Sequence, residues 1–150
     1  MEGEEARLLR QLRDREQIRE LLYRYCYAVD ARDVAILGEL FDDACTLEIR
    51  HPGEQTQRCQ GRGAIVEYHR RALNRDFTFL RHTNSNHIIE INGDEASCKC
   101  YWSAALEFDG GSVTQSGRFF DRLRRVADNW KITERITLLE YAAPLKHGWG

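Results

Sequence analysis

The sequence predicts one α+β domain, in which helices come first and a single curved, mainly antiparallel sheet follows. Three observations predict it. Ile18, Leu22, Tyr25 and Val29 recur at the four-three-four spacing that lines one face of a helix. The second half is extended and is broken at Asn92-Gly93-Asp94, Asp109-Gly110-Gly111 and Asp128-Asn129. Those breaks carry the residues that tight hairpins need for positive φ. The stretches between them run roughly 12 residues against a usual five or six, which favours strong curvature. A sheet so curved can wrap a pocket and leave helices to close its mouth.

The first helix is expected over residues 4–29, with Leu8, Leu9 and Leu12 extending its apolar face. Asp14 is a candidate N-cap that would split it into a short arm and a main helix. Asp33 caps a second helix, because Val34, Leu37 and Leu40-Phe41 follow at helical spacing. Cys45, Leu47 and Ile49 then alternate with Thr46, Glu48 and Arg50, as in a half-buried strand. Pro52-Gly53 turns the chain, and residues 57–60 lead into Gly61-Arg62-Gly63. A third helix is expected over 64–73, with Ile65, Tyr68, His69 and Ala72 facing inward. The meander strands are expected at 79–91, 95–108, 112–126 and 130–141. The tail, 142–150, reads equally as a frayed end or as a flap over the pocket or a neighbouring subunit.

Composition narrows the function. The 150 residues fit one domain spanning 1–150. With 22 basic and 24 acidic residues the net charge is −2, which is no footprint for nucleic acid or an anionic membrane. No apolar run approaches the length of a spanning helix, and MEGEEARLLR lacks the apolar core of an export signal. The expectation is a soluble cytoplasmic protein. Five cysteines, an odd number without a Cys-x-x-Cys pair, read as reduced and buried. His51, His69, His82, His87 and His147 are scattered without metal-ligand spacing, and no nucleotide or nucleophile-elbow motif occurs. No cofactor and no metal are expected.

Two residues stand out. Asp30 closes an apolar, aromatic helix, and Asp33 already fills the nearby capping role. His82 shares a strand face with Asn84, Asn86 and Ile88, a polar face running into an apolar one, as in a pocket wall. His87 lies on the opposite face unless a bulge intervenes. Tyr27 shares a helix face with Asp30, whereas Tyr25 lies about 140° around. Arg135 reads as a solvated strand charge on a mixed face with Thr133, Thr137, Leu139 and Tyr141.

Five stretches together carry a resemblance: REQIRELLYRYCYAVDARD, LGELFDDACTLEI, GRGAIVEYHRRAL, RHTNSNHIIEINGDEA and SGRFFDRLRRVADNWKITER. Over about residues 14–141 they resemble the SnoaL-like branch of the nuclear-transport-factor-2-like superfamily. Within it they are most similar to scytalone dehydratase, bile-acid 7α-dehydratase and hexachlorocyclohexane dehydrochlorinase. The resemblance implies a cone-shaped α+β barrel and cofactor-independent chemistry by an Asp–His pair, which maps onto Asp30 and His82. It also implies a catalytic tyrosine at Tyr25, an asparagine at Asn86 and a substrate-binding basic residue at Arg135. The second histidine of scytalone dehydratase has no counterpart in CKCYWSAAL, and Val29 stands where that enzyme has tyrosine. The implied function is a dehydratase acting on an apolar cyclic or polycyclic hydroxy-carbonyl substrate. The alternatives are a proton shuttle like ketosteroid isomerase, using Asp30 alone, and a non-catalytic ligand- or protein-binding domain. The resemblance further implies a homo-oligomer, trimer ahead of dimer, joined through the outer sheet at Tyr101 or Trp102.

Overall fold

In the computed structural model, which describes residues 3–108 and 110–145, helix α1 (Glu4–Ala31) lies in the concavity of a six-stranded sheet. Helices α2 (Val34–Leu40) and α3 (Arg62–Ala72) complete the helical layer. The strands are β1 (Phe41–Arg50), β2 (Gln57–Gln60), β3 (Phe77–Asn92), β4 (Glu95–Phe108), β5 (Gly111–Val126) and β6 (Asn129–Leu145). Their order is β2-β1-β6-β5-β4-β3, so the sheet is an open cone with β2 and β3 as its edges rather than a closed barrel. Every pairing is antiparallel except β1 with β6. Among the described residues no helix is long and apolar enough to cross a membrane.

The expected split of α1 does not occur. Asp14 is buried within an unbroken helix, where Arg125 grips its two oxygens at 2.9 and 2.8 Å. The helix ends when Arg32 takes a left-handed φ of 56°. Asp30 therefore sits in the last helical turn. Leu8, Leu9 and Leu12 are exposed, because the sheet does not reach the first turns of α1. Asp33 caps α2 as expected, its carboxylate accepting the Ile36 N–H at 3.0 Å.

Four single-residue insertions bend the sheet, and β1 carries a larger register shift between Phe41 and Thr46. The pairings Phe77↔Phe108 and Phe79↔Glu107 leave Thr78 extra at the start of β3. The pairings Ser85↔Tyr101 and Ile88↔Lys99 leave one extra residue in β3, and Asn86 there has φ 58°. The pairings Arg122↔Glu134 and Leu123↔Ile132 leave Thr133 extra in β6. Ser116↔Tyr141 and Gly117↔Leu139 leave Glu140 extra in the same strand. Each insertion moves all following side chains to the other face and increases the local twist. On β4, which has no such insertion, Ala96, Cys98, Cys100, Trp102 and Ala104 point inward and are buried. Ser97, Lys99, Tyr101, Ser103 and Ala105 form its outer face. Residues 142–145 are neither frayed nor a flap: they extend β6 and pair with 112–115. The rest of the tail, with Trp149, lies outside the described residues.

Candidate active site

Between the end of α1, α3 and the concave sheet lies a pocket of about 450 Å³, within the range of drug-sized ligand sites. Val29, Leu47, Ile49, Leu80, Leu106 and Leu139 give it an apolar wall. His82 reaches this wall from edge strand β3. An edge strand leaves some N–H groups without a strand partner. The His82 N–H is one of them, and both oxygens of Asp30 accept it at 3.0 Å. Asp30 Oδ1 also lies 2.8 Å from His82 Nδ1. A carboxylate facing Nδ1 selects the tautomer with hydrogen there, which leaves Nε2 as an acceptor. Nε2 has no hydrogen-bond partner among the described residues. The two side chains are largely shielded, 22 % exposed for Asp30 and 17 % for His82.

The bulge in β3 decides the neighbours of this pair. Leu80, His82 and Asn84 face inward, then the phase changes and His87 and Ile89 face inward. Asn86 is exposed at the bulge and Ile88 faces solvent, contrary to the regular-strand expectation. His87 bonds Asn84 Oδ1 at 2.6 Å and packs edge-on against Tyr23, away from the pocket lining.

Of the two tyrosines, Tyr25 lines the pocket and Tyr27 is 79 % exposed. Tyr25 and Asp30 lie on different sides of α1, yet both meet the cavity because the cone wraps the end of the helix. The Tyr25 hydroxyl is 3.0 Å from His69 Nε2, and His69 Nδ1 donates to the Ile65 carbonyl at 2.8 Å. Burial holds the His69 imidazole down at about 4 despite that carbonyl, with the nearby Arg135 charge also lowering it. The neutral ring therefore accepts the Tyr25 hydrogen. Burial pushes the Tyr25 phenol up to about 12, against the pull of Arg135.

Arg135 is a correction to the solvated strand charge read from the sequence. The Thr133 insertion turns it inward, where it is fully buried. It grips both oxygens of equally buried Asp121, at 2.7 and 2.8 Å. Its guanidinium sits in the corner made by the perpendicular rings of Tyr25, at 4.2 Å, and Phe119, at 4.0 Å. Burial opposes the charge, but the Asp121 carboxylate outweighs it and holds the guanidinium above its ordinary value. Arg135 does not line the pocket; Tyr25 and Phe119 stand between it and the cavity. Phe119 in turn stacks on Trp102, whose indole N–H crosses Gly117 to reach the Leu138 carbonyl at 3.1 Å. Among the described residues no three of His, Cys, Asp and Glu converge as a metal-binding set.

The sequence pattern of the SnoaL-like domain matches residues 10–136. The chain belongs to the SnoaL-like domain family. Solved structures place this SnoaL-like chain among cones of the nuclear-transport-factor-2 type. One is a candidate aromatic ring hydroxylase from Novosphingobium aromaticivorans, 25 % identical, with a TM-score of 0.78 over 89 % of this chain and 94 % of that one. Another is a candidate scytalone dehydratase from the same organism, 21 % identical, with a TM-score of 0.77 over 89 % and 88 %. A third is the hexachlorocyclohexane dehydrochlorinase LinA-type3 from Novosphingobium barchaimii, 18 % identical, with a TM-score of 0.77 over 92 % and 94 %. No curated protein sequence matches the chain.

Two members of this SnoaL-like site escaped the sequence reading of functional residues. The sequence marks His69 as an inward residue of α3 and as one of the scattered histidines; its signal is Ile65 four residues earlier, whose carbonyl it bonds. Asp121 was not singled out at all. Its signal is a carboxylate in the buried alternation of Phe119, Asp121 and Leu123.

Proposed function

We propose that this SnoaL-like protein is a cofactor-independent dehydratase of cyclic hydroxy-carbonyl compounds, with Asp30 and His82 as its catalytic pair. The observation that carries the reading is the 2.8 Å contact between them at the wall of an apolar pocket, with His82 Nε2 unpartnered among the described residues. Asp30 orients the imidazole and stabilises the imidazolium, as in other carboxylate–histidine pairs. His82 Nε2 takes a proton from the carbon α to the substrate carbonyl, and the electron pair moves onto the carbonyl oxygen. Collapse of that enolate forms the carbon–carbon double bond and expels the β-hydroxyl. The imidazolium returns its proton to that hydroxyl, and water leaves. With a phenol raised to about 12, Tyr25 acts as a hydrogen-bond donor to the enolate or the departing oxygen rather than as a proton source. To do so its hydrogen must swing from His69 to substrate. Arg135 acts through Tyr25 rather than on the substrate directly.

The isomerase reading, with Asp30 as the sole base, is less favoured. Its carboxylate oxygens are already engaged by the His82 ring and backbone N–H groups, so Asp30 faces the imidazole rather than the substrate. A plain ligand-binding domain explains the pocket but leaves the free Nε2 without a role. The outer sheet face exposes Tyr101 and Ile88, each 55 %, and supports a homo-oligomer with Tyr101 in the interface; trimer stands ahead of dimer on the family resemblance alone. Five free cysteines, four of them buried, support a reducing cytoplasmic setting.

The test is a panel of hydroxylated cyclic ketones followed by the ultraviolet absorbance of the enone formed. Asp30→Asn should lower kcat on the order of 10⁴-fold, and His82→Ala should abolish turnover without a large loss of thermal stability. Turnover by the Asn variant within a few-fold of wild type would rule out the dyad. Absence of turnover across the panel in a protein that still binds apolar ligands would favour the binding domain.

A further inference from the structure

Among the described residues no aspartate or glutamate lines the pocket, yet His51, just after β1, and Arg71 and Arg75, where α3 hands the chain to β3, do. Two of these already have acidic partners outside the cavity. His51 Nδ1 lies 3.2 Å from Glu54, and Arg71 Nε bonds Glu67 at 3.0 Å. Arg75 has none among the described residues. Its guanidinium lies 4.0 Å over the ring of Phe108, which packs edge-on against Phe77 at 5.7 Å. Both rings line the same pocket. A cation over a ring face is held there without using its N–H groups, which stay available to an acceptor. The Arg75 carbonyl accepts the Phe77 N–H at 2.8 Å, which ties the arginine to the first residue of the strand.

We propose that Arg75 binds an anionic group, a carboxylate or a sulfonate-like acid, at one end of an otherwise apolar substrate. This rests on the reading of the pocket as the substrate site and narrows the substrate class from neutral cyclic hydroxy-carbonyls to their acids. A guanidinium meets a carboxylate through two parallel hydrogen bonds, whereas a neutral substrate would leave Arg75 hydrated at an apolar rim. Five residues of strand, roughly 16 Å of backbone, separate Phe77 from His82. The anion is thus a recognition handle, remote from the reacting carbon. Arg75 orients the ring system so that its other end meets His82, and Arg71 adds to the positive potential without being its seat.

Two dyes with one aromatic skeleton test this. The first is 8-anilinonaphthalene-1-sulfonate, and the second is N-phenyl-1-naphthylamine, which lacks the sulfonate. The wild type should bind both, with each displacing the other. Arg75→Gln should weaken the sulfonated dye about fivefold, as expected for one partly exposed ion pair, and the neutral dye less than twofold. Arg75→Lys should restore at least half of the lost affinity, and raised salt should act only on the sulfonated dye. Equal weakening of both dyes, no weakening of either, or failure of the dyes to compete would overturn the anion handle and leave the dehydratase reading standing. If the wild type binds neither dye, the pocket is not a ligand site, and both readings fall together.

Discussion

Replacing Asp121 with asparagine should be among the most damaging isosteric changes available to this fold. Asp121 and Arg135 are both inaccessible to solvent, joined by charge-assisted hydrogen bonds of 2.7 and 2.8 Å. The asparagine keeps the shape and loses the charge, so the Arg135 guanidinium is left buried against Tyr25 and Phe119 without its counter-charge. Breaking such a pair from one side costs about 3–5 kcal/mol. A chain of 150 residues unfolds with an entropy of about 0.3 kcal/mol per kelvin near its midpoint. Division of the two predicts a fall in Tm of about 10–16 °C. Removing both charges together, in Asp121→Leu with Arg135→Met, should recover most of that loss, since an apolar pair has no desolvated charge to support. Thermal unfolding by circular dichroism, with urea titration at a fixed temperature, measures all three proteins. If Asp121→Asn stays within about 1 kcal/mol of wild type, or if the double variant is no better than the single one, the pair is not the desolvated floor of the site.

Three further outcomes follow from the same geometry. His69 is depressed to about 4 in the fold against 6.5 when unfolded, so the folded state binds fewer protons between those values. Its contribution is full above pH 6.5 and falls by about 3 kcal/mol as pH drops towards 4; His69→Gln should flatten that part of the urea-midpoint profile, and an unchanged slope would mean the ring is not held neutral. Gly117→Ala puts a Cβ 1.8 Å from the Leu138 carbonyl oxygen and 2.9 Å from the Trp102 indole nitrogen. It should cost about 3 kcal/mol or prevent folding, and a near-wild-type urea midpoint with unchanged near-ultraviolet dichroism would contradict the close crossing of β5 and β6. Burial raises the Cys26 and Cys45 thiols to about 11, and Cys98 and Cys100 are equally enclosed, whereas Cys59 is half-buried. Iodoacetamide at pH 8 should therefore label Cys59 first in the native protein, and rapid labelling of all five would refute the burial.

Helix, hairpin and strand were legible in the sequence because each depends on near neighbours. The spacing of Ile18, Leu22, Tyr25 and Val29, the Asp33 cap and the Asn92-Gly93-Asp94 turn are local facts, and the elements they announce are present. The pairing of Asp30 with His82 was reachable through the family resemblance, which maps an Asp–His pair onto them, and the two side chains are in contact. What tertiary structure alone decided is which side chains face the pocket. The Thr133 insertion turned Arg135 into the core, and the β3 bulge sent Asn86 to solvent and His87 inward. Tyr25 prevailed over Tyr27 because the cone surrounds the helix end, a condition set by strands more than fifty residues away. Leu8, Leu9 and Leu12 kept their helical pattern and lost their burial, because the sheet does not reach them. The helix cases follow from how far the sheet reaches around α1, and the strand cases from register. Backbone propensity and hydrogen-bonding capacity reside in adjacent residues, whereas the face a side chain presents depends on register. A single extra residue, whose cost is spread over a curved sheet, reverses that face for every residue beyond it.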